Sequence, residues 1–217
     1  MILRSAKIVV DPRRADETVP LYRDYTDSFA LRQPGIVGVR LLRHLTMPNK
    51  FFLHSWWASA QAMEEAVRSE AYAAVLSEAR TDFLERLSVW PLDVLDADPR
   101  PLLPAHPKRV VSRLAKMTLR PDADGGLEEL YYRITDRFTR QVPGCLRVQL
   151  FRDRQVRNVY FVQTYWTDAE AMVAARELDE LKVIRKEALH ILEERMAIWE
   201  MEIVADSVRM PMFDARG

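Results

Sequence analysis

The sequence predicts an α+β protein in which one small fold is written twice, and three observations predict it. The first is a repeat. Pro34-Gly35 recurs as Pro143-Gly144, Trp57 as Trp166, Ala62-Met63 as Ala171-Met172, Glu85-Arg86 as Glu194-Arg195 and Trp90 as Trp199, always 109 positions on. The register runs from Ala6/Ala115 to Asp96/Ala205 without insertion or deletion, and about a quarter of the aligned positions are identical. A period of this length exceeds the ~20–50 residues of a solenoid unit and matches a whole small domain. The second observation is the order in which strand-like and helix-like periodicity alternate within each copy. The third is Asp98–Pro107, with four prolines in ten residues between the copies. Proline fixes φ and lacks an amide donor, so such a stretch is a connector and not a helix interior or a central strand. The expected domains are 1–97 and 110–206, with a proline-rich linker at 98–109 and a C-terminal tail at 207–217 that has no counterpart in the first copy.

Each element has its own sequence signal. Lys7–Val10 and Lys116–Leu119 read as short strands, each followed by a proline, Pro12 or Pro121. Leu21, Tyr22, Tyr25 and Phe29 then fall at helical spacing, repeated by Leu130, Tyr131, Ile134 and Phe138. The Pro-Gly pairs stop that helix. Two strands follow, Ile36–His44 and Lys50–Trp57, with twins Cys145–Asp153 and Val159–Trp166. Thr167 and Glu170 are spaced as a capping box for the next helix of the second copy, and Ser59 can cap its twin in the first. That helix runs to about Leu87 or Met196, with a break near Ser69. Val89–Leu95 and Ile198–Val204 close the copies as strands. The order β-α-β-β-α-β is the ferredoxin-like pattern: an antiparallel sheet with helices on one face. The bare face needs cover, and the tandem copy supplies it, so the expected object is a pair of sheets packed as a pseudo-dimeric α/β barrel.

Strand parity sorts the faces. Val37, Val39, Leu41, Phe51, Leu53 and Trp57, with their twins, form an apolar face that belongs under the helices. The opposite face carries Arg40, Phe52, His54 and Trp56 in the first copy, and Arg147, Gln149, Gln163 and Tyr165 in the second. This mixed face suits a sheet-to-sheet interface.

Composition narrows the function. Lys plus Arg and Asp plus Glu each number 32, so the formal net charge is zero and no nucleic-acid partner is indicated. Cys145 is the single cysteine, which excludes an intrachain disulfide and a multi-thiolate zinc site. No signal peptide or membrane-spanning run is visible, so a soluble, cytoplasmic protein is expected. No phosphate loop, dinucleotide fingerprint or metal-ligand spacing occurs.

The runs Phe51–Met63 and Tyr160–Met172, each a strand ending in tryptophan and followed by a capped, alanine-rich helix start, resemble the antibiotic-biosynthesis monooxygenase family. The resemblance covers nearly the whole chain, twice. It implies small dimeric α/β-barrel proteins, some of which oxygenate a phenol or anthrone without any cofactor, by assisting its deprotonation so that the carbanion reduces oxygen itself. Two departures stand out. Quinone-forming members carry Asn four residues before the tryptophan, where this chain has Leu53 and Val162. Haem-degrading relatives carry a helical histidine where this chain has Leu76 and Arg185.

Candidate residues follow. Trp57 and Trp166 are read either as core anchors or as the walls of a slot for a planar aromatic ligand. His54 is the most reactive-looking side chain, with Arg40 on its face and Gln163 as its twin. It is read either as a hydrogen-bonded interface residue or as a proton shuttle. Tyr22 and Tyr131 are core tyrosines by spacing and proton-handling candidates by chemistry. Arg40 and Tyr72 join the tryptophans as candidate substrate contacts, while Asn49 and Asn158 read as turn residues. The leading reading is a cofactor-independent, quinone-forming monooxygenase acting on a small aromatic or polyketide-type molecule. It needs no cofactor or metal, forms an internal pseudo-dimer and leaves a further homodimer open. A non-catalytic binding or scaffold protein of the same fold is the alternative, and haem binding ranks third. Were only one half active, the first, which holds His54, is the expected one.

Overall fold

A computed structural model describes residues 1–80, 83–96, 110–123 and 125–207, without the side chains of 78–80, 134–140 and 180–181. The linker 98–109, the tail beyond Ser207, and the side chains of Ile134 and Phe138 therefore lie outside the described residues. The chain divides into two compact units, Met1–Asp93 with Met201 onward, and Val94–Glu200.

The strands are β1 (Ile2–Val9), β2 (Ile36–His44), β3 (Lys50–Trp57), β4 (Ser88–Val94), β5 (Val111–Thr118), β6 (Cys145–Asp153), β7 (Val159–Trp166) and β8 (Ala197–Asp206). The helices are α1 (Thr18–Ser28), α2 (Ala60–Arg68), α3 (Glu70–Arg80), α4 (Gly126–Gln141), α5 (Ala169–Ala174) and α6 (Asp179–Ile191). The α+β class and the doubled β-α-β-β-α-β order are thus both observed. Short 3-10 turns begin at Pro12 and Pro121, where a fixed φ favours a tight first turn.

In the first unit the antiparallel order is β4-β1-β3-β2, with Met201–Asp206 of β8 paired on β2. In the second unit β5 and β6 flank β7. The register repeats between units. Ile2 opposes Trp57 as Val111 opposes Trp166, and both hairpins slip register at the same place, between Ile36 and Gly38 and between Cys145 and Arg147. Period-2 patterning did not signal this irregularity.

Helix breaks and caps match too. Ser69 and Leu178 both leave helical geometry, separating α2 from α3 and α5 from α6. The Ser69 hydroxyl caps α3 through the Tyr72 amide at 3.1 Å. The second long helix starts one residue later than the capping-box spacing predicts. Asp168, not Thr167, caps α5 by accepting the Ala171 amide at 2.8 Å, and Thr167 donates to Asp168 instead. Asp168 is the twin of Ser59, which caps α2 through the Ala62 amide. A carboxylate suits a helix N-terminus and makes the Glu170 contact dispensable.

The residues shared by the copies serve the frame. Gly35 and Gly144 sit at φ +76° and +79°, a region open to glycine. A Cβ there would stand 2.6 Å from the Ala62 Cβ and 2.5 Å from the Ala171 Cβ. Each glycine carbonyl accepts an amide from the strand end, Ala58 at 2.8 Å and Thr167 at 2.9 Å. Asn49 and Asn158 clasp the end of the first strand, their side-chain amides donating to the carbonyls of Val10 and Leu119. Arg43 and Arg152 lie over the Phe51 and Tyr160 rings, donate to the hairpin carbonyls of Pro48 and Arg157, and pair with Asp16 and Glu128.

Both strand faces are buried, as their patterning implies. Arg40, His54, Gln149 and Gln163 are fully buried on one face, and Val39, Phe51, Leu150 and Tyr160 on the other. Leu53 and Val162 break the apolar face by remaining half-buried. Among the described residues no helix is long and apolar enough to cross a membrane.

The glycine contact yields a stability test. Gly144→Ala adds a left-handed alanine and a steric clash and is expected to cost about 2–4 kcal/mol. Gly125 has φ +83° but nothing near its Cβ position. Gly125→Ala should therefore cost only about 1–2 kcal/mol. Urea unfolding of both variants measures the difference, and equal losses would refute the contact argument.

Candidate functional site

Leu53 and Val162 are half-buried because each faces a cavity between its sheet and the helices. The two cavities occupy matching places. Arg4, Ala6, Ile8, Leu21, Tyr22, Leu53, Val75, Leu76 and Leu87 in one correspond to Arg113, Ala115, Met117, Leu130, Tyr131, Val162, Ile184, Arg185 and Met196 in the other. The frame is shared, but size and chemistry are not.

The cavity of the first unit measures about 150 Å³. Tyr72 closes part of it, and the Arg4 guanidinium lies over its ring and donates to its hydroxyl at 2.5 Å. Tyr22 and Tyr25 also line it, and burial pushes both phenols up to about 12, so they stay protonated.

The cavity of the second unit measures about 460 Å³, within the range of small-molecule sites. Met117, Leu127, Leu130, Val148 and Ala188 form an apolar floor, and Trp166 supplies a flat wall. The indole nitrogen of Trp166 is already spent on the Thr164 hydroxyl at 2.8 Å, so the ring offers an apolar face. Tyr131 lines the same cavity, and its hydroxyl hydrogen bonds to the Asp96 carboxylate and to the Val148 carbonyl.

One side of this cavity is charged. Arg113 donates to the Glu200 carboxylate through Nε at 3.0 Å and Nη2 at 2.8 Å. Arg176 donates to the same oxygen, Oε1. Burial pushes the Glu200 carboxyl up, but the bonds from Arg113 and Arg176 outweigh it and hold the group below its usual pKa. Burial pulls the Arg113 guanidinium down against the support of Glu200, and the nearby charges of Arg176 and Arg185 add to that fall. Lys182 and Arg185 complete the cationic lining.

The sequence candidates are therefore distributed in groups. Tyr22 and Tyr72 meet in the first cavity, and Tyr131 and Trp166 in the second. Trp57 packs in a core cluster with Ile2, Met63 and Ala66, its indole donating to Ser55 at 3.0 Å. His54 and Arg40 lie together on the other sheet face, outside the lining of either cavity. Arg40 pairs with Asp206 at 2.7 Å and lies over the Trp56 ring. His54 stands edge-on to Phe52 and Trp56. Burial first, and the Arg40 charge second, lower its pKa to about 3, so its ring is neutral at neutral pH.

Sequence reading missed Arg113, Arg176 and Glu200. Arg113 carried a signal, since Arg4 repeats it at the shared spacing. Arg176 and Glu200 did not, since their twins are Val67 and Pro91 and three separate segments bring the cluster together.

Comparisons with known proteins bear on the family and the fold. A family model described as antibiotic biosynthesis monooxygenase matches residues 1–87 and 110–187. A Fusobacterium nucleatum protein provisionally described as a monooxygenase is 14% identical and superposes with a TM-score of 0.78, over 96% of this chain and 94% of that one. A protein described as anthrone oxidase-like is 11% identical, with a TM-score of 0.76 over 99% and 95% of the two chains. A Lactobacillus acidophilus protein, also provisionally described as a monooxygenase, is 8% identical with a TM-score of 0.70 over 96% of each chain. No protein of curated function matches.

The placement of His54 generates a pH test. Its folded pKa of about 3 lies below the ordinary 6.5 of an unfolded chain. The unfolded state binds the extra proton between these values, so this contribution to stability is present above pH 6.5 and is lost as pH falls toward 3. Between neutral pH and about pH 4.5 the wild type should lose about 2–3 kcal/mol through this residue. His54→Gln, the residue of the second copy, should remove that slope, which denaturant unfolding at several pH values would read.

Proposed function

We propose, for a chain that belongs to the antibiotic biosynthesis monooxygenase family, that the cavity of the second unit performs a cofactor-independent oxygenation of a small aromatic or polyketide-type substrate. The observation that carries the reading is one roomy apolar cavity that joins the Trp166 wall, the Tyr131–Asp96 hydrogen bond and the Arg113 guanidinium. A planar substrate lies against Trp166. Tyr131, polarised by the Asp96 carboxylate, takes a proton from the activated C–H while its own proton moves to Asp96. Arg113 stabilises the enolate or phenolate that forms. The carbanion passes one electron to dioxygen, the radical pair combines to a hydroperoxide, and loss of water leaves the quinone carbonyl. An anthrone CH₂ and one O₂ thus become a C=O and one H₂O.

The reacting cavity thus belongs to the second half, not to the first. The first cavity is smaller, and its strand arginine, Arg4, is engaged by Tyr72. His54 takes no part, because it lines neither cavity.

A second reading, binding without turnover, is favoured by Leu53 and Val162. These residues line the cavities where quinone-forming members carry Asn. Native mass spectrometry of purified protein separates the two. A stoichiometric small molecule that accumulates unchanged under oxygen supports binding alone.

Oxygen uptake with a panel of anthrones and hydroquinones tests catalysis. Tyr131→Phe is expected to lower turnover by about 100-fold with a small change in KM. His54→Gln should leave turnover within roughly twofold, since only acid–base groups touching the substrate carry such factors. Val162→Phe, which narrows the second cavity, should lower uptake strongly, while Leu53→Phe in the first should preserve it. Loss of uptake in Leu53→Phe alone would overturn the assignment to the second unit.

A further inference from the structure

We propose that the cavity of the second unit selects a substrate bearing a carboxylate, and that Glu200 occupies the place of that group when the cavity is empty. The inference rests on the reading of this cavity as the ligand site. Three arginines, Arg113, Arg176 and Arg185, and Lys182 line it against the single carboxylate of Glu200 among the described residues. Lys182 is partly answered from outside by Glu177 at 3.8 Å and Asp179 at 3.4 Å, both exposed. Among the described residues Arg113 and Arg176 share Glu200, a single oxygen of which receives two bonds from Arg113 and one from Arg176. A carboxylate can take two parallel bonds from one arginine, so two arginines sharing one oxygen leave recognition capacity for a second acid.

The layout also separates the two ends of a ligand. Trp166 and the apolar floor accept a ring system, and Arg176, Arg185 and Lys182 stand on helical segments beside it. The matching cavity of the first unit has no such set. Val67, Ala73, Leu76 and Pro91 stand at the positions of Arg176, Lys182, Arg185 and Glu200. The first cavity carries Arg4 and Arg14, but the cluster of Arg176, Lys182 and Arg185 belongs to one copy and not to the shared frame. It gives a specificity that an aromatic slot lacks: an arene carboxylate is held, and its neutral isostere is not.

Equilibrium binding of anthracene-2-carboxylate and anthracene-2-carboxamide to the intact chain, followed by ligand fluorescence, tests this. The acid should bind about 10-fold or more tightly than the amide at low salt, with the preference shrinking as salt rises. Arg176→Leu should remove most of that preference and leave amide binding within about twofold. Glu200→Gln should strengthen acid binding about threefold or more, because it removes the competing charge. Thermal melts of each variant verify folding, and Arg176→Lys should restore part of the preference. Equal binding of acid and amide would overturn this inference alone. Weakening of both ligands alike in Glu200→Gln would overturn the displacement by Glu200. Binding of neither ligand would overturn the cavity as a site and this inference with it.

Discussion

The contact between a left-handed glycine and the first turn of a helix, Gly35 on Ala62 and Gly144 on Ala171, fixes the geometry on which each unit depends. It brings the turn before the second strand against the helix that follows the third, with no room for a side chain between them. The carbonyl of the same glycine takes the amide that ends the third strand, so turn, strand end and helix start are set together. The tryptophan at that strand end then packs on the helix through Met63 or Met172. With this corner fixed, the helical break at Ser69 or Leu178 redirects the chain, and the cavities lie between sheet and helices.

A frame this constrained leaves the cavity lining free to differ. The two copies share the arginine of the first strand and the tyrosine of the first helix, but diverge at the following helices and the last strand. In the first unit Tyr72 comes inward and holds the Arg4 guanidinium with its hydroxyl and its ring, which takes up space and engages that cation. In the second, Glu200 takes the corresponding guanidinium from the side, and the volume stays open. One backbone thus supports a smaller cavity and a roomier, more highly charged one, and the difference arises from a handful of side chains.

Much of the frame was legible in the sequence because it rests on local chemistry written twice. The Pro-Gly turns, the strand parity and the Ser59 cap each depend on residues close in the chain, and the repeat supplied a second reading of each. Asp168 escaped because Thr167 offered an equally plausible hydroxyl one residue earlier, and only the helix start distinguishes them. Trp166 and Tyr131 were visible as candidates because aromatic residues at fixed spacing stand out. The Arg113–Glu200–Arg176 cluster did not, because its members are 87 and 24 residues apart along the chain and acquire meaning only when β5, β8 and the turn after α5 converge. His54 drew attention for its chemistry, but burial beside Arg40 decides its protonation, and a sequence does not display burial residue by residue.

The last strand has a consequence for how such a chain can be divided. β8 starts in the second unit, contributes Glu200 to its cavity, and one residue later belongs to the first unit, where it pairs with β2. Val94 likewise ends a strand of the first unit and opens the second. A gene cut at the proline-rich stretch would therefore give two products, each carrying a strand end that belongs to the other's unit. Removing either copy at the proline-rich stretch would thus also take a strand end from the unit that stays.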